Sequence, residues 1–184
     1  SPASLSPFAG CAYTWMLDDI SIQDIPPGDI GILAIAPPSE YCVLPYDQVQ
    51  PLQLAGRVKN YGIDTAMNVS LQVDIFDNSG NNIYSATSGS IPYLLAGDTS
   101  AVLSCPIPFT PTDTGRYYFR YVCSATSVDG NSANDTSYQL MRMSNGLYAR
   151  DYTAFSVNGY AGAYGFQGFS GYLGNIFEFR NAAQ

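Results

Sequence analysis

Met67-Asn68-Val69-Ser70-Leu71-Gln72-Val73-Asp74-Ile75 is the stretch that decides the fold. Successive side chains of an extended chain point to opposite faces, so Met67, Val69, Leu71, Val73 and Ile75 share one side and Asn68, Ser70, Gln72 and Asp74 the other. Strict alternation of this kind predicts a strand with one buried face. Asp77-Asn78-Ser79-Gly80-Asn81-Asn82 follows, made of residues that tolerate left-handed backbone and bond their own main chain, and so predicts a turn. Ile83-Tyr84-Ser85-Ala86-Thr87 then returns as a short second strand.

The same alternation extends in both directions. Asp29–Ile35 is a strand closed by Pro37-Pro38, and Leu52, Leu54, Gly56 and Val58 alternate with Gln53, Ala55, Arg57 and Lys59 up to Asn60-Tyr61-Gly62. Downstream, Leu95-Ala96-Gly97-Asp98 turns into a strand at Thr99–Leu103. Pro106, Pro108 and Pro111 should stop it near Cys105, or leave an irregular edge, because proline cannot donate to a ladder. Thr112-Asp113-Thr114-Gly115 turns into Arg116–Ala125, and Ser137–Met143 is the last strand. No segment carries a helical stripe. The pattern predicts an all-β fold: a seven-stranded immunoglobulin-like sandwich over residues 29–146, within the ~100 residues such a sandwich uses. An N-terminal strand segment (1–28) and a C-terminal Gly/aromatic-rich extension with a terminal strand (147–184) flank it.

Those flanks set the functional expectation. Trp15-Met16-Leu17-Asp18-Asp19-Ile20-Ser21-Ile22 and Tyr172-Leu173-Gly174-Asn175-Ile176-Phe177-Glu178-Phe179 each have the character of one strand without partners, and even a two-stranded hairpin is marginal in water. Trp15, Leu17, Ile20 and Ile22, with Leu173, Ile176, Phe177 and Phe179, are therefore candidate assembly residues. They would complete a sheet in a neighbouring domain or a second copy of the chain.

The chain has 184 residues, of which 46 % are hydrophobic and 12 % charged, with a net charge of −8. The charged share is about half that of an ordinary soluble domain, so hydroxyls and amides must cover the surface, as they do in many secreted proteins. Seven basic residues scattered singly form no nucleic-acid footprint. No apolar run approaches the ~20 residues of a membrane span, and Ser1-Pro2-Ala3-Ser4 lacks the charged start and apolar stretch of a signal peptide. Histidine is absent, which removes the commonest general base and a frequent metal ligand. No nucleophile-elbow motif or phosphate-binding glycine loop replaces it, so no enzymatic activity is expected.

The four cysteines, Cys11, Cys42, Cys105 and Cys123, form no C-x-x-C pair, which disfavours zinc and redox readings. Two disulfides in an oxidising compartment and four buried free thiols are the alternatives. Cys105 runs in phase with Ala101, Leu103, Ile107 and Phe109, and Cys123 with Tyr117, Phe119 and Tyr121. A Cys105–Cys123 bridge would thus cross the core and leave Cys11–Cys42 to tie down the first segment.

Four elements carry a resemblance: Asp29-Ile30-Gly31-Ile32, Arg57-Val58-Lys59-Asn60-Tyr61-Gly62, Leu95-Ala96-Gly97-Asp98 and Asp113-Thr114-Gly115-Arg116-Tyr117. In that order they resemble CARDB-type immunoglobulin-like domains, adhesion-associated modules of secreted proteins. The terminal segments are similar to the closing and opening strands of jelly-roll domains in Bacteroidetes-type surface proteins. The resemblance implies an extracellular or cell-surface, non-catalytic role. The four cysteines depart from it.

Several residues are candidate sites. Asp129, Asn131 and Asp135 offer side-chain oxygens at near-alternate positions of a polar loop and are calcium candidates, without the bidentate acid of a full calcium-binding loop. Asp18 and Asp19 would face opposite sides of a strand, so they cannot work together as acid and base. Asn68 and Asn134 begin N-glycosylation acceptor triplets, and Thr65 in Asp64-Thr65-Ala66 resembles a Bacteroidetes O-glycosylation pattern. Tyr117, Phe119 and Tyr121 are assigned to the core, where a tyrosine hydroxyl can bond upstream backbone as a tyrosine corner. The function expected is an extracellular structural or adhesive module, a filament subunit assembled by strand complementation, with itself or neighbouring domains as partner. The alternative is a carbohydrate-binding accessory domain of a secreted hydrolase, with Tyr118, Tyr160, Tyr164 and Phe166 stacking on glycans. Neither nucleic-acid binding nor membrane insertion is expected.

Overall fold

The structure, a computed structural model, describes residues 24–149. These form nine strands: β1 (Ile30–Ala36), β2 (Val43–Pro45), β3 (Ala55–Asn60), β4 (Ala66–Phe76), β5 (Asn82–Thr87), β6 (Ile91–Leu94), β7 (Leu103–Ser104), β8 (Gly115–Ser124) and β9 (Thr136–Ser144). A single 3₁₀ turn, Tyr46–Gln48, follows β2. The strands make two sheets, β1-β3-β7 and β2-β9-β8-β4-β5, with β6 also paired to β4. Only β2 runs parallel to its neighbour, β9. No helix among the described residues is long and apolar enough to cross a membrane.

The core lies between the sheets. Val69, Leu71, Val73 and Ile75 of β4 and Phe119 and Tyr121 of β8 are wholly buried against Leu54 and Val58 from the opposite sheet. Phe109 joins the layers through edge-type ring contacts with Tyr84 at 5.3 Å and Phe119 at 6.2 Å. Such contacts add ~0.5–1.5 kcal/mol each beyond area burial.

The all-β sandwich is as the sequence predicts, but its strands are more numerous. β2 and β6 each contain a proline (Pro45, Pro92), which hides short edge strands from a pattern search. β5 and β6 lie in line along one edge of β4, separated by a break where the Ser88 hydroxyl accepts the Leu71 N–H at 3.0 Å and the Ser88 N–H donates to the Leu71 carbonyl at 2.8 Å. On β4 itself Asn68 takes a left-handed conformation (φ 53°), which shifts the alternation by one residue. Met67, expected inside, is 45 % exposed, and Ala66 takes the buried place. Ile107 is a second correction: flanked by Pro106 and Pro108, it is 64 % exposed rather than core-facing. Even so, β3 is flanked on that side from Asp98 to Phe109, since Asn60, Leu54 and Leu52 all exchange backbone bonds with that run. The strand expected at Thr99–Leu103 is corrected: only Leu103 and Ser104 form it, as β7, and the irregular edge expected past Cys105 already begins before it.

Tyr117 forms the predicted corner. Its hydroxyl donates to the Asp113 carbonyl at 2.8 Å and accepts the Asp113 N–H at 3.2 Å. Tyr117→Phe keeps the buried ring and deletes both bonds. It is expected to lower stability by ~1–2 kcal/mol, read as a lower urea midpoint with an unchanged slope.

Candidate functional site: exposed edges and an acidic clasp

The exposed part of β1 follows from its register. β1 ends the three-stranded sheet, paired only to β3, and a register shift between Ile32 and Ala34 places Leu33 as a bulge. Its first half is covered from the other side, because the Ile32 N–H donates to the Asn134 carbonyl at 2.9 Å. Beyond that, Leu33, Ala34 and Ala36 are exposed, and no described strand flanks them on the side away from β3. Natural edges are usually blunted by charges, prolines or covering loops. Leu33-Ala34-Ile35-Ala36 carries no charge and no proline. On the second sheet, β2 pairs with β9 on one side and begins a new pairing on the other, where the Ala149 N–H donates to the Val43 carbonyl at 3.0 Å.

The start of β1 is held by a clasp of loops. The carbonyl of Asp29 accepts the N–H groups of Tyr61 (2.7 Å) and Gly62 (3.0 Å), Pro27 accepts from Asp64 (2.8 Å), and Gly28 accepts from Gly130 (2.8 Å). Three carboxylates gather here from positions far apart in sequence. Asp129 accepts the Ile30 N–H on one oxygen at 3.0 Å and the Asn131 N–H on the other at 2.7 Å. Asp29 accepts from the Asn134 side-chain amide at 2.8 Å. The Cys123 thiol donates to Asp135 at 3.7 Å. Burial, together with the nearby charge of Asp129, pushes the Asp135 carboxyl up to about 6. Burial and the same acids push the Cys123 thiol to about 12, and burial raises Cys105. Thiols held protonated are poor nucleophiles and poor metal ligands.

The calcium candidates are thus partly brought together: Asp129 and Asp135 meet, joined by Asp29, while the Asn131 side chain is exposed. The Asp129 oxygens already serve as backbone acceptors. Among the described residues no group of three or more His, Cys, Asp or Glu side chains is placed to hold a metal ion. The pair Cys105–Cys123 is also corrected: both are free thiols with different partners, Cys105 donating to the Ala86 carbonyl and Cys123 to Asp135. Sharing an inward phase places two cysteines in one core, but not at bonding distance, because they sit at different levels along it. Cys11 lies outside the described residues, and with it the Cys11–Cys42 pairing. Thr65 and Asn68 are exposed as glycan acceptors must be, whereas the Asn134 amide nitrogen is engaged by Asp29. Trp15, Leu17, Ile20, Ile22, Leu173, Ile176, Phe177 and Phe179, Asp18 and Asp19, and Tyr160, Tyr164 and Phe166 lie outside the described residues.

The acidic clasp predicts a pH effect of known sign. The Asp135 carboxyl is raised above its ordinary value of 3.8, so the stability it contributes is full below about pH 4 and lost as pH rises through about 6. Partial exposure and solvent screening reduce the effect to ~1 kcal/mol. Asp135→Asn should therefore stabilise the protein by about that much at pH 7 and flatten the pH 4–7 segment of a urea-denaturation series. An unchanged wild-type slope in the variant would contradict this. Asp74 works in the opposite direction. Burial raises its carboxyl, but hydrogen bonds from Ser85, Arg120 and Gln72 outweigh that and hold it below the ordinary value, so its contribution is lost as pH falls.

No protein-family model matches this sequence, and no curated protein does. Among solved structures the chain is similar in fold to a CARDB domain from Pyrococcus furiosus determined in complex with di-metal ions, at 20 % identity over 70 % of this chain and 98 % of that one, TM-score 0.47. It is also similar to a domain assigned to the cell surface from Methanosarcina acetivorans, at 16 % identity over 67 % and 96 %, TM-score 0.42. A β-glucuronidase from Bacteroides uniformis matches at 17 % identity over 62 % of this chain but 13 % of the enzyme, TM-score 0.40. These are likenesses of strand layout.

Proposed function

We propose that this chain is an extracellular, non-catalytic structural or adhesive module that joins its neighbours by strand addition, as a filament subunit or as one domain of a longer surface protein. The observation that carries the reading is the apolar stretch Leu33–Ala36 at the edge of the three-stranded sheet, which no other described strand flanks. An extended segment laid beside it gains main-chain hydrogen bonds for affinity and alternate side-chain contacts for specificity. The strand-like flanking sequences around Trp15–Ile22 and Tyr172–Phe179 are the segments we assign as donors, from this chain's copies or neighbours. Such contacts are head-to-tail and need not close, so they build fibres. The jelly-roll flanks and a Bacteroidetes-type source belong to the same proposal. The sparse charge, the missing histidine and the protonated buried thiols support a non-catalytic role.

Electron microscopy and sedimentation of the purified chain test it, with Leu33→Lys as the decisive variant. Leu33 is 46 % exposed and bulged out of the ladder, so lysine should fold normally while placing a charge on the edge. Ordered assemblies for the native chain and a stable monomer for Leu33→Lys are expected. A native chain that stays monomeric at every concentration would end the filament reading.

A further inference from the structure

The turn after β9, Ser144-Asn145-Gly146-Leu147, leads the chain back along β2. Ser144 is buried, and its hydroxyl organises the turn. It accepts the Leu147 N–H at 2.8 Å and the Gly146 N–H at 3.3 Å, and donates to the Leu147 carbonyl at 2.9 Å. Ala149 then pairs with β2: its carbonyl accepts the Cys42 and Val43 N–H groups at 2.9 and 3.0 Å, and its N–H donates to the Val43 carbonyl at 3.0 Å. Asn145 and Gly146 belong to neither ladder and are exposed. Gly146 has φ 151°, which favours a residue without Cβ, and a methyl group there would meet nothing within 4 Å. With Arg142 and Ser144 the two residues line an open cleft of about 610 Å³, so water reaches them.

We propose that Asn145-Gly146 is a self-modification site, where the chain converts its own asparagine to isoaspartate and thereby loosens Ala149 from β2. The Gly146 nitrogen gives its proton to solvent base and attacks the Asn145 Cγ. The N–Cγ bond forms, the Cγ–Nδ2 bond breaks, and ammonia leaves with a proton from solvent, closing a five-membered succinimide. Water then opens the ring at the Asn145 main-chain carbonyl to give isoaspartate, or at Cγ to give aspartate. The net change consumes one water and releases one ammonia, with no oxidant, metal or second protein. A side chain on the following residue crowds this ring closure, and Asn145 is the only asparagine among the described residues that glycine follows. Elsewhere the side-chain amides are held: Asn60 by two carbonyls, Asn81 by Asp77, Asn82 by Ser85 and Asn134 by Asp29. The attacking nitrogen here carries only the long bond to Ser144, and no ladder has to open for it to move. Isoaspartate routes the main chain through the side-chain carbons, which adds one carbon to a turn that a single hydroxyl spans. The Ser144 bonds and the Ala149 pairing then fall out of register. The chemistry uses this turn alone and is independent of strand addition.

Ageing the folded chain at mildly alkaline pH, followed by tryptic mass mapping, tests it. Cleavage after Arg142 and Arg150 isolates Asn145 from every other asparagine, Asn158 included. That peptide should show the mass gain of amide-to-acid conversion, with an isoaspartyl form resolved by chromatography, and should gain it faster as pH rises. Asn131, exposed but followed by Ser132, should convert about tenfold more slowly, the factor that ~1.4 kcal/mol of added barrier gives. Hydrogen exchange supplies the structural readout. The Cys42, Val43 and Ala149 amides should lose protection in the aged native chain and keep it in aged Asn145→Ser, which cannot close the ring. Freshly purified Asn145→Asp carries the new charge without the added carbon and should keep protection as well. The proposal is overturned if Asn145 keeps its amide while Asn131 converts, or if the converted chain retains the protection of Ala149. Loss of the same protection in fresh Asn145→Asp would overturn the backbone-lengthening step.

Discussion

Asn60→Ala is expected to cost ~3–4 kcal/mol, enough to unfold much of the population of a domain of ordinary stability. Asn60 is fully buried at the end of β3. Its side-chain amide donates to the carbonyls of Asp64 at 2.8 Å and Leu94 at 2.9 Å, and its side-chain oxygen accepts the Gly62 N–H at 3.0 Å. Its backbone completes the hub, donating to Asp98 and accepting from Gly97, each at 3.0 Å. One residue thus ties the turn after β3 to the turn after β6. Alanine deletes three side-chain bonds and strands buried backbone groups, each costing ~1–3 kcal/mol when left unpaired. Asn60→Asp keeps the acceptor but loses both donors and should fare no better. Chemical denaturation measures the loss; a change under ~1 kcal/mol would mean that water replaces the amide and that the hub has been misread.

Gly62→Ala should have the second-largest effect, ~2–4 kcal/mol, by overpacking rather than by lost bonds. A methyl group there would sit 2.6 Å from the Pro27 carbonyl oxygen and 2.7 Å from the Asp29 nitrogen. Both are backbone atoms, so no side-chain rotation relieves the clash. The segment entering β1 must move, which breaks the bonds that Tyr61 and Gly62 make to Asp29. Gly89→Ala is the comparison, since a methyl group there meets nothing within 4 Å, and it should be neutral or slightly stabilising. Hydrogen exchange gives a local readout: the amides of residues 61–64 should lose protection in Gly62→Ala and keep it in Gly89→Ala. Equal behaviour of the two variants would contradict the close approach.

These two residues show how far the sequence could be read. Arg57-Val58-Lys59-Asn60-Tyr61-Gly62 is one of the elements that carry the resemblance, but its letters do not say why asparagine and glycine are needed. The reason lies in chain segments elsewhere: Leu94 and Asp98 close over Asn60, and Pro27 and Asp29 press on Gly62. Lys59 and Tyr61 are nearer to legible, the ammonium lying 5.0 Å from the ring centre. The alternation of Val69, Leu71, Val73 and Ile75 predicted their burial correctly, and Tyr117 formed its corner. Met67 and Ile107 went the other way, because a left-handed residue and a pair of prolines each changed the phase. The acidic clasp was only half visible: Asp129 and Asp135 belong to one polar loop, but Asp29 is a hundred residues away and had no pattern linking it to them.

Local rules were therefore enough for whatever depends on period and turn chemistry. Two-residue alternation, punctuated by Gly, Asn, Asp and Pro, determined the all-β class, most strand positions and the inward set of β4 and β8. Tertiary structure alone decided, among the described residues, which edges have no partner strand, which thiols fail to meet, and which carboxylates share a site. Those outcomes depend on contacts between segments distant in sequence, and a repeat pattern along one strand carries no information about the strand, loop or charge that folds against it.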